Sequence, residues 1–551
     1  REFSIVVSGS VIISSFAALT FTPMLATKLL IKREKQSWFY RKTEPFFEGL
    51  NNLYSRSLAA FLRKRWIALP FTAATILIIG FLWNHIPAEM APLEDRSQIS
   101  INTRGAEGVT YEYIRDYTED INQLVDSIVP DAEAVTARVS SGSGNVRITL
   151  KDMQDRDYTQ MEVAEKLSKA VQKKTMARSF VQQSSSFGGR RGGMPVQYVL
   201  QATNIEKLQE VLPKFMAKVY ENPVFQMADV DLKFSKPEAR ININRDKASI
   251  MGVSTRNIAQ TLQYGLSGQR MGYFYMNGKQ YEILGEINRQ QRNKPADLKG
   301  IYIRSDKGDM VQLDNLIELT NGIAPPKLYR YNRFVSATIS AGLADGKTIG
   351  QGLDEMDKIA KETLDDTFRT ALTGDSKEYR ESSSSLMFAF ILAILLIYLI
   401  LAAQFESFKD PLIIMLTVPL AIAGALVFMY FGGITMNIFS QIGIIMLIGL
   451  VAKNGILIVE FANQKQETGE DKMQAIKDAA LQRLRPILMT SASTVLGLIP
   501  LAFATGEGCN QRIAMGTAVV GGMLVSTLLT MYIVPAIYSY VSTNRSKLKN
   551  E

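Results

Sequence analysis

Long apolar runs alternate with polar stretches along the chain. Seven runs reach or approach the roughly 20 residues that a helix needs to cross a hydrocarbon core, and they are residues 3–30, 66–86, 386–403, 411–431, 438–462, 486–505 and 513–541. A mostly polar block, residues 85–385, separates the second run from the third. The pattern predicts a membrane α-helical bundle of seven transmembrane helices, the last five within 386–541, with one large soluble insert. It excludes an ordinary soluble enzyme.

Lysine and arginine residues near the ends of the runs predict the orientation of the chain. Bases are concentrated between the first two runs, in residues 465–485 and in the tail 542–551. The short loops on the opposite side, 432–437 and 506–512, contain Arg512 as their single base. Because basic loops stay in the cytoplasm, we expect the insert in the periplasm and the protein in a bacterial inner membrane. The net charge of +9 then reflects topology, and we expect no nucleic-acid partner.

The segment between the first two runs, residues 31–65, has an amphipathic pattern of its own. Within 34–62, aromatic and aliphatic residues are interleaved with charged and polar ones. A helix of this kind lies along a membrane interface, so we expect a cytoplasmic surface helix here. Arg1 directly precedes the first apolar run, and we expect the chain to be part of a longer protein.

Short strand-like and helical stretches alternate within the insert. They form a β-α-β-β-α unit and then a second, similar unit, which predicts an α+β insert with two ferredoxin-like domains, at 87–195 and at 196–235 joined with 325–372. A third domain, 236–324, is inserted into the second. It contains a helical stretch at 246–264 and a hairpin that turns at Asn277 and Gly278.

The contents of cysteine and histidine restrict the chemistry. The chain has one cysteine, Cys509, and one histidine, His85, which excludes a disulfide framework, a thiolate metal cluster and zinc sites built on paired imidazoles. The sequence motifs of nucleophile elbows, zinc proteases, phosphate loops and calcium loops do not occur. We therefore expect no cofactor, no metal and no enzymatic activity. Any transport would draw on an ion gradient.

Lys453 stands in the middle of the fifth apolar run. A charge at this depth costs about 2.5–3.5 kcal/mol even on a lenient insertion scale, so the lysine is a functional candidate. One interpretation is that its side chain extends to the cytoplasmic interface. The other, which we favour because that interface is too far for the side chain alone, is an acidic partner inside the bundle. The seven runs contain no acid at matching depth, so we expect the partner on another helix or another chain.

Two further polar residues share a face of the sixth predicted helix. Arg483 and Thr490 are two helical turns apart. Arg483 is alternatively a cytoplasmic anchor, and Thr490 alternatively bonds its own helix backbone. Small residues recur every fourth position in the last helix and predict close packing of another helix: Ala514, Ala518, Gly522, Ser526 and Thr530.

Four motifs mark the runs and their borders: FTPML at 21–25, IPAEMAPLED at 86–95, GLVAKNGILIVEFA at 449–462 and RLRPILMTS at 483–491. Together with the order of helices and insert, they resemble the C-terminal half of a resistance-nodulation-division (RND) efflux pump of the hydrophobe/amphiphile exporter branch. The resemblance covers essentially the whole chain. It implies an inner-membrane proton/substrate antiporter that exports small amphiphilic compounds. It also implies a homotrimer that works with a periplasmic adaptor protein and an outer-membrane channel.

The resemblance also implies roles for individual residues. Lys453 is similar to the family's proton-relay lysine, which pairs with aspartates in an N-terminal half absent from this chain, and Asn454, Arg483 and Thr490 match the same network. Without that acidic helix, the chain alone is not expected to transport. The ferredoxin-like domains correspond to porter subdomains and 236–324 to a docking domain.

A second set of residues is implied at the substrate cleft: Phe187, Arg190 and Arg191. A mobile loop is the alternative for this segment. The loop 139–145 has no aromatic residue, whereas drug pumps of this kind often carry an aromatic switch loop there. The competing functions are an RND-type lipid or metal exporter and a noncatalytic membrane scaffold or receptor.

Overall fold

Helices alone form the membrane part of the chain, and helices and strands alternate in the outer part. The computed structural model describes residues 2–29, 38–183, 194–325, 327–344 and 346–543. The α-helices are α1 (Glu2–Leu29), α2 (Trp38–Arg63), α3 (Ala68–His85), α4 (Tyr111–Ile128), α5 (Gln160–Val171), α6 (Ile205–Glu221), α7 (Arg245–Ile250), α8 (Thr255–Leu266), α9 (Ile349–Thr363), α10 (Gly374–Phe405), α11 (Lys409–Met415), α12 (Thr417–Phe431), α13 (Ile438–Glu467), α14 (Lys472–Ala502) and α15 (Cys509–Val541). The strands are β1 (Gln98–Arg104), β2 (Ala134–Ser140), β3 (Ser143–Thr149), β4 (Arg178–Gln183), β5 (Val196–Ala202), β6 (Phe225–Val230), β7 (Lys236–Ile243), β8 (Gln269–Met276), β9 (Lys279–Gly285), β10 (Tyr302–Arg304), β11 (Met310–Gln312), β12 (Ile317–Ala324), β13 (Tyr329–Tyr331), β14 (Phe334–Leu343) and β15 (Arg369–Leu372).

The described residues contain seven helical segments long and apolar enough to cross a membrane, which agrees with the seven predicted runs. Helices α12 to α15 form the packed centre of this bundle. The predicted stripe of small residues on α15 is buried there. A side chain at Gly522 would collide with Leu447 of α13, so only a small residue allows the two helices to approach this closely.

The fourth membrane segment is interrupted, which the apolar pattern alone did not predict. Helix α11 ends at Met415 and helix α12 begins at Thr417. Pro419 has no amide hydrogen with which to bond the carbonyl of Met415, so the hydrogen-bond ladder breaks there. Leu416 keeps right-handed helical dihedral angles. The two pieces therefore still serve as one span.

Helix α2, in the segment predicted to be a surface helix, packs against α14 and α15. Its described apolar face contains the buried residues Tyr54 and Leu58. The Tyr54 hydroxyl donates to the carbonyl of Met531 at 2.6 Å, and Glu44 pairs with Arg485 of α14 at 3.2 Å. The start of the predicted segment, up to residue 37, lies outside the described residues.

The first outer unit comprises β1 to β4 with α4 and α5. Its strands form an antiparallel sheet in the order β2-β3-β1-β4, with the β-α-β-β-α-β connection of a split β-α-β fold. Thr110 caps α4, and Thr159 with Glu162 forms a capping box on α5. Strands β2 and β3 continue to Ser140 and from Ser143, so the predicted loop 139–145 is a tight hairpin turn.

The second outer unit comprises β5, α6, β6, β13, β14, α9 and β15. Strand β14 pairs with β5 on one side and with β6 and β13 on the other, and β15 pairs with the far edge of β5. The order of connections is the same as in the first outer unit. Helices α6 and α9 cover a core that includes Tyr198, Leu200, Phe215 and Ile339.

The inserted unit, residues 236–324, begins and ends on a two-stranded ribbon. Strands β7 and β12 pair along their whole length, from Lys236 opposite Ala324 to Ile243 opposite Ile317. The predicted hairpin is confirmed as β8 and β9, with positive φ angles at the turn residues Asn277 and Gly278. The helical stretch expected over 246–264 is two helices, because Gly252 has a φ of +66° and ends α7.

Candidate functional site

Lys453 lies near the middle of the 30-residue helix α13, about 22 Å of helical rise from its first residue. Its side chain is exposed on a lateral face of the bundle, together with Met446 and Gly449. None of the carboxylates in the described ranges lies within ion-pair distance of its ammonium group. Glu460, two turns away on the same helix, accepts instead from Gln464 at 3.0 Å. Lys453 is therefore directed away from the polar centre of this bundle.

The next residue, Asn454, points the other way and forms a buried polar triangle. It is 2% exposed, and its Nδ2 donates to Ser491 Oγ of α14 and to Thr527 Oγ1 of α15, both at 3.3 Å. Thr527 Oγ1 donates to Ser491 Oγ at 3.1 Å. The triangle fixes α13, α14 and α15 relative to one another at the depth of Lys453.

Arg483 and Thr490 occupy different positions on α14. The Thr490 hydroxyl donates to the carbonyl of Ile487 at 3.1 Å, so it bonds its own helix at i−3 and precedes Ser491 of the triangle. The Arg483 guanidinium lies 4.6 Å from the centroid of the Phe461 ring on α13, and its buried Nε has no partner among the described residues. The structure thus brings Asn454 and the Thr490 turn together. Arg483 lies two helical turns from Thr490, towards the start of α14.

A second buried polar cluster, which was not predicted, lies where the start of α11 meets the C-terminal ends of α13 and α15. Asn463 Nδ2 donates to Asp410 Oδ2 at 3.1 Å, and the Tyr538 hydroxyl donates to Asn463 Oδ1 at 2.6 Å. Gln466 Nε2 donates to the Tyr538 hydroxyl at 2.7 Å. The cluster links α11, α13 and α15. A buried carboxylate that is hydrogen-bonded in this way ties the helix ends together.

The outer units enclose a cavity of about 860 Å³. Strand β4 and the end of α5 form one wall, and β6 with the end of β14 forms the other. Apolar side chains are interleaved with amides in the lining: Phe180, Val181, Met194, Met227, Leu343, Gln172, Gln182, Gln183 and Gln226. Such a surface suits a molecule with both apolar and polar parts. Phe187, Arg190 and Arg191, predicted to border the cleft, lie outside the described residues.

Charged groups of both signs line the cavity: Glu89, Asp375, Arg178 and Lys347. Glu89 accepts a hydrogen bond from the Thr435 hydroxyl in the loop between α12 and α13. Burial raises the pKa of Glu89 above its ordinary value of 4.5, and the bond from Thr435 lowers it by less. The carboxyl group is therefore held closer to its neutral form than a solvated glutamate.

A buried aspartate ties the two outer units together beside the cavity. Asp229 on β6 accepts from Arg104 Nη1 at 3.2 Å and from Arg178 Nη1 at 3.5 Å, both on the first outer unit. Lys233, on its own unit, pairs with it at 3.1 Å. Arg178 Nη1 also donates to the Tyr220 hydroxyl at 3.3 Å. We call these groups the Asp229 clamp, and they were not predicted from the sequence.

Residues 1–542 match the AcrB/AcrD/AcrF family. The chain is 30% identical over 558 residues to a protein of Haemophilus influenzae described as an uncharacterized transporter. The match includes all of this chain and 54% of that protein's length. The chain thus spans about half the length of the relative that it matches.

Seven membrane-spanning candidates and a helix-and-strand portion define the class of protein, a membrane protein with a large soluble insert, and the relative that it matches is described as a transporter. The chain belongs to the AcrB/AcrD/AcrF family of RND transporters. The recognition made from the motifs at 449–462 and 483–491 is confirmed.

Proposed function

We propose that the complete protein exports amphiphilic or hydrophobic compounds from the inner membrane or periplasm by proton/substrate antiport. This chain is its C-terminal half. Lys453 carries the proposal, because it is a charged side chain at mid-membrane depth that faces outward from its own bundle. A charge placed there needs an acidic partner or water. In the part of the chain that the structure describes, nothing supplies that partner.

The surface around Lys453 is suited to receive another helix. Gly449 is one turn from Lys453 on the same exposed face, and a Cβ there would meet no atom within 4 Å. Small residues allow helix backbones to approach closely in a membrane. An acidic helix from the missing half, packed on Gly449, would bring its carboxylates within reach of the ammonium group. Protonation of those acids would release Lys453 and change the packing of α13.

The buried triangle converts a change at Lys453 into a movement of helices. Asn454 is the next residue, and its hydrogen bonds hold Ser491 and Thr527. A rotation of α13 that repositions Lys453 also strains these bonds, so α14 and α15 must follow. We assign Asn454 to the relay on this ground, and Thr490 as the neighbour of Ser491 on α14. Arg483 belongs to it as the base at the cytoplasmic end, where a released proton would leave.

The cavity supports the proposed cargo. Its mixed lining fits amphiphilic molecules, and it includes Glu89 and Asp375, which lie next to membrane segments. We propose that the two outer units are porter subdomains and that the inserted unit is a docking domain. The docking domain would contact a periplasmic adaptor protein and an outer-membrane channel in a homotrimeric pump.

The test is dye efflux from vesicles that contain the complete protein, driven by an imposed proton gradient. We expect Lys453→Ala to abolish efflux at equal expression and oligomeric state. The matched control is Lys409→Ala, which removes an exposed lysine at the cytoplasmic start of α11 and should leave efflux unchanged. Unchanged efflux in Lys453→Ala would refute the relay. A wild-type protein that moves no dye but binds a ligand would favour the scaffold or another cargo.

A further inference from the structure

Helix α15 begins without a capping side chain of its own. Its N-cap residue is Gly508, with a φ of +69°, and no side chain from the preceding loop bonds the first turn. The first backbone N–H groups of a helix have no partner inside the helix and need acceptors from elsewhere. For α15, the acceptor comes from a distant part of the chain.

That acceptor is Glu94, in the segment between α3 and β1. Glu94 is 1% exposed, and its Oε1 accepts from the backbone N–H of Gln511 at 2.9 Å. The carbonyl of the preceding residue, Leu93, accepts from Asn510 Nδ2 at 2.7 Å. An acidic side chain at a helix N-terminus satisfies a free amide and also complements the helix dipole. Glu94 therefore caps α15 from outside the helix.

The same segment is bound firmly to the first outer unit. Gln160, the fully buried first residue of α5, donates through Nε2 to the Glu94 carbonyl at 3.4 Å and through its backbone N–H to Asp95 Oδ2 at 2.8 Å. Its Oε1 accepts from the N–H groups of Arg96 and Gln98. Arg156, whose side chain is fully buried, pairs with Asp95. Any displacement of Glu94 therefore displaces the first outer unit.

The other end of the connection lies in the membrane. Thr527 of the buried triangle is on α15, about 24 Å of helical rise from Gln511, and it bonds Asn454, the neighbour of Lys453. The second outer unit is held by a different helix, since Ser376 of α10 accepts from the backbone N–H of Gln197 on β5 at 2.8 Å. Movement of α15 relative to α10 would thus move the two walls of the cavity relative to each other.

We propose that Glu94 is the positioning residue that transmits the displacement of α15 to the first outer unit, by capping the helix from outside. It is absent from the lining of the cavity and so acts through movement and not through contact with substrate. This inference rests on the proposed function, in which the cavity must change shape in each transport cycle.

The transport test uses substitutions at both ends of the hydrogen bond in the complete protein. Glu94→Ala removes the acceptor, and Gln511→Pro removes the donor at a position where proline is tolerated in the first turn. We expect each to lower the maximal transport rate about tenfold, within the usual range of coupling energies, with substrate affinity unchanged. The double variant should be no slower than either single one. Glu94→Gln keeps an acceptor oxygen and should retain the rate. Glu119→Gln on the exposed face of α4 is the matched control.

A normal rate in both Glu94→Ala and Gln511→Pro would overturn the proposal. So would a parallel loss of affinity and rate in every Glu94 variant, since that is the behaviour of a residue needed only for folding. If Glu94→Ala does not fold, Gln511→Pro compared with Glu94→Gln decides the outcome.

Hydrogen exchange separates this inference from the proposed function, because it needs no transport. In the complete protein, Lys453→Ala should change the exchange of residues 156–160 when Glu94 is present and leave it unchanged in the Glu94→Ala background. If wild type transports nothing while this dependence is observed, the antiport proposal fails and the coupling stands. If the change at 156–160 occurs with or without Glu94, the coupling is wrong.

Discussion

The Asp229 clamp predicts how firmly the two outer units are held together. Two of its ion pairs cross between the units, from Arg104 and Arg178 to Asp229, and the arginine side chains are 57% and 60% exposed. Exposed pairs of this kind contribute about 0.5–1 kcal/mol each, because solvent screens them. Asp229→Asn should therefore weaken the contact between the two outer units by about 1–2 kcal/mol, a factor of about 5–30 in the ratio of joined to separated units.

The assay is the distance between spin labels on the two units of the complete protein, attached at Glu119→Cys on α4 and Glu206→Cys on α6 with Cys509 replaced by serine. Both label sites are exposed. We expect Asp229→Asn to broaden the distance distribution towards longer values. The matched control is Glu362→Gln, which removes the 2.8 Å ion pair with Lys218 inside the second outer unit. A distribution identical to wild type in Asp229→Asn would refute the reasoning that the clamp sets the width of the cavity.

Two further predictions concern burial and packing. Burial raises the pKa of Glu89 in the folded protein. The contribution of Glu89 to stability is therefore fully present at a pH below its ordinary pKa, and it is lost as the pH rises through the raised pKa. Glu89→Gln should raise the apparent melting temperature at pH 7 and have no such effect in acid. A melting temperature that never exceeds that of wild type would contradict this account. Gly522→Val should lower the yield of folded protein, since its side chain would overlap Leu447 and overpacking costs about 1–3 kcal/mol. Gly497→Ala, in open space inside helix α14, should leave the yield unchanged and stabilise the protein slightly, by about 0.5–1 kcal/mol, in thermal unfolding.

The pattern of apolar residues predicted where the helices lie better than it predicted where they are interrupted. The apolar runs located the membrane helices because about 20 consecutive apolar residues have few other uses. The break between α11 and α12 depends on one missing amide hydrogen at Pro419, which a hydropathy pattern does not register. The turn at Asn277 and Gly278 was predictable, because that pair favours positive φ angles in a hairpin. Gly252, an isolated glycine, carried no comparable signal.

The sequence pattern was informative for only part of the candidate site. A lysine inside an apolar run is visible in the sequence alone, and so Lys453 became a candidate. The partners of Asn454 are Ser491 and Thr527, two hydroxyl residues among many in the helices, and only the relative rotation of α13, α14 and α15 selects them. The role of Asp229 was equally difficult to predict, because its three basic partners come from separate parts of the chain and contact it only in the folded sheets. A buried polar side chain nevertheless requires hydrogen-bond partners. A polar residue in an apolar run therefore indicates that partners lie on neighbouring helices.

The central claim, antiport through Lys453, is tested most directly by measuring proton and substrate fluxes together in vesicles of the complete protein. Antiport requires that an outward substrate gradient drive protons in the opposite direction, with the two fluxes in a fixed ratio. We expect wild type and Lys409→Ala to show the same fixed ratio of proton flux to substrate flux, and we expect Lys453→Ala to lose both fluxes. Substrate movement in Lys453→Ala that still drives protons at the wild-type ratio would contradict it.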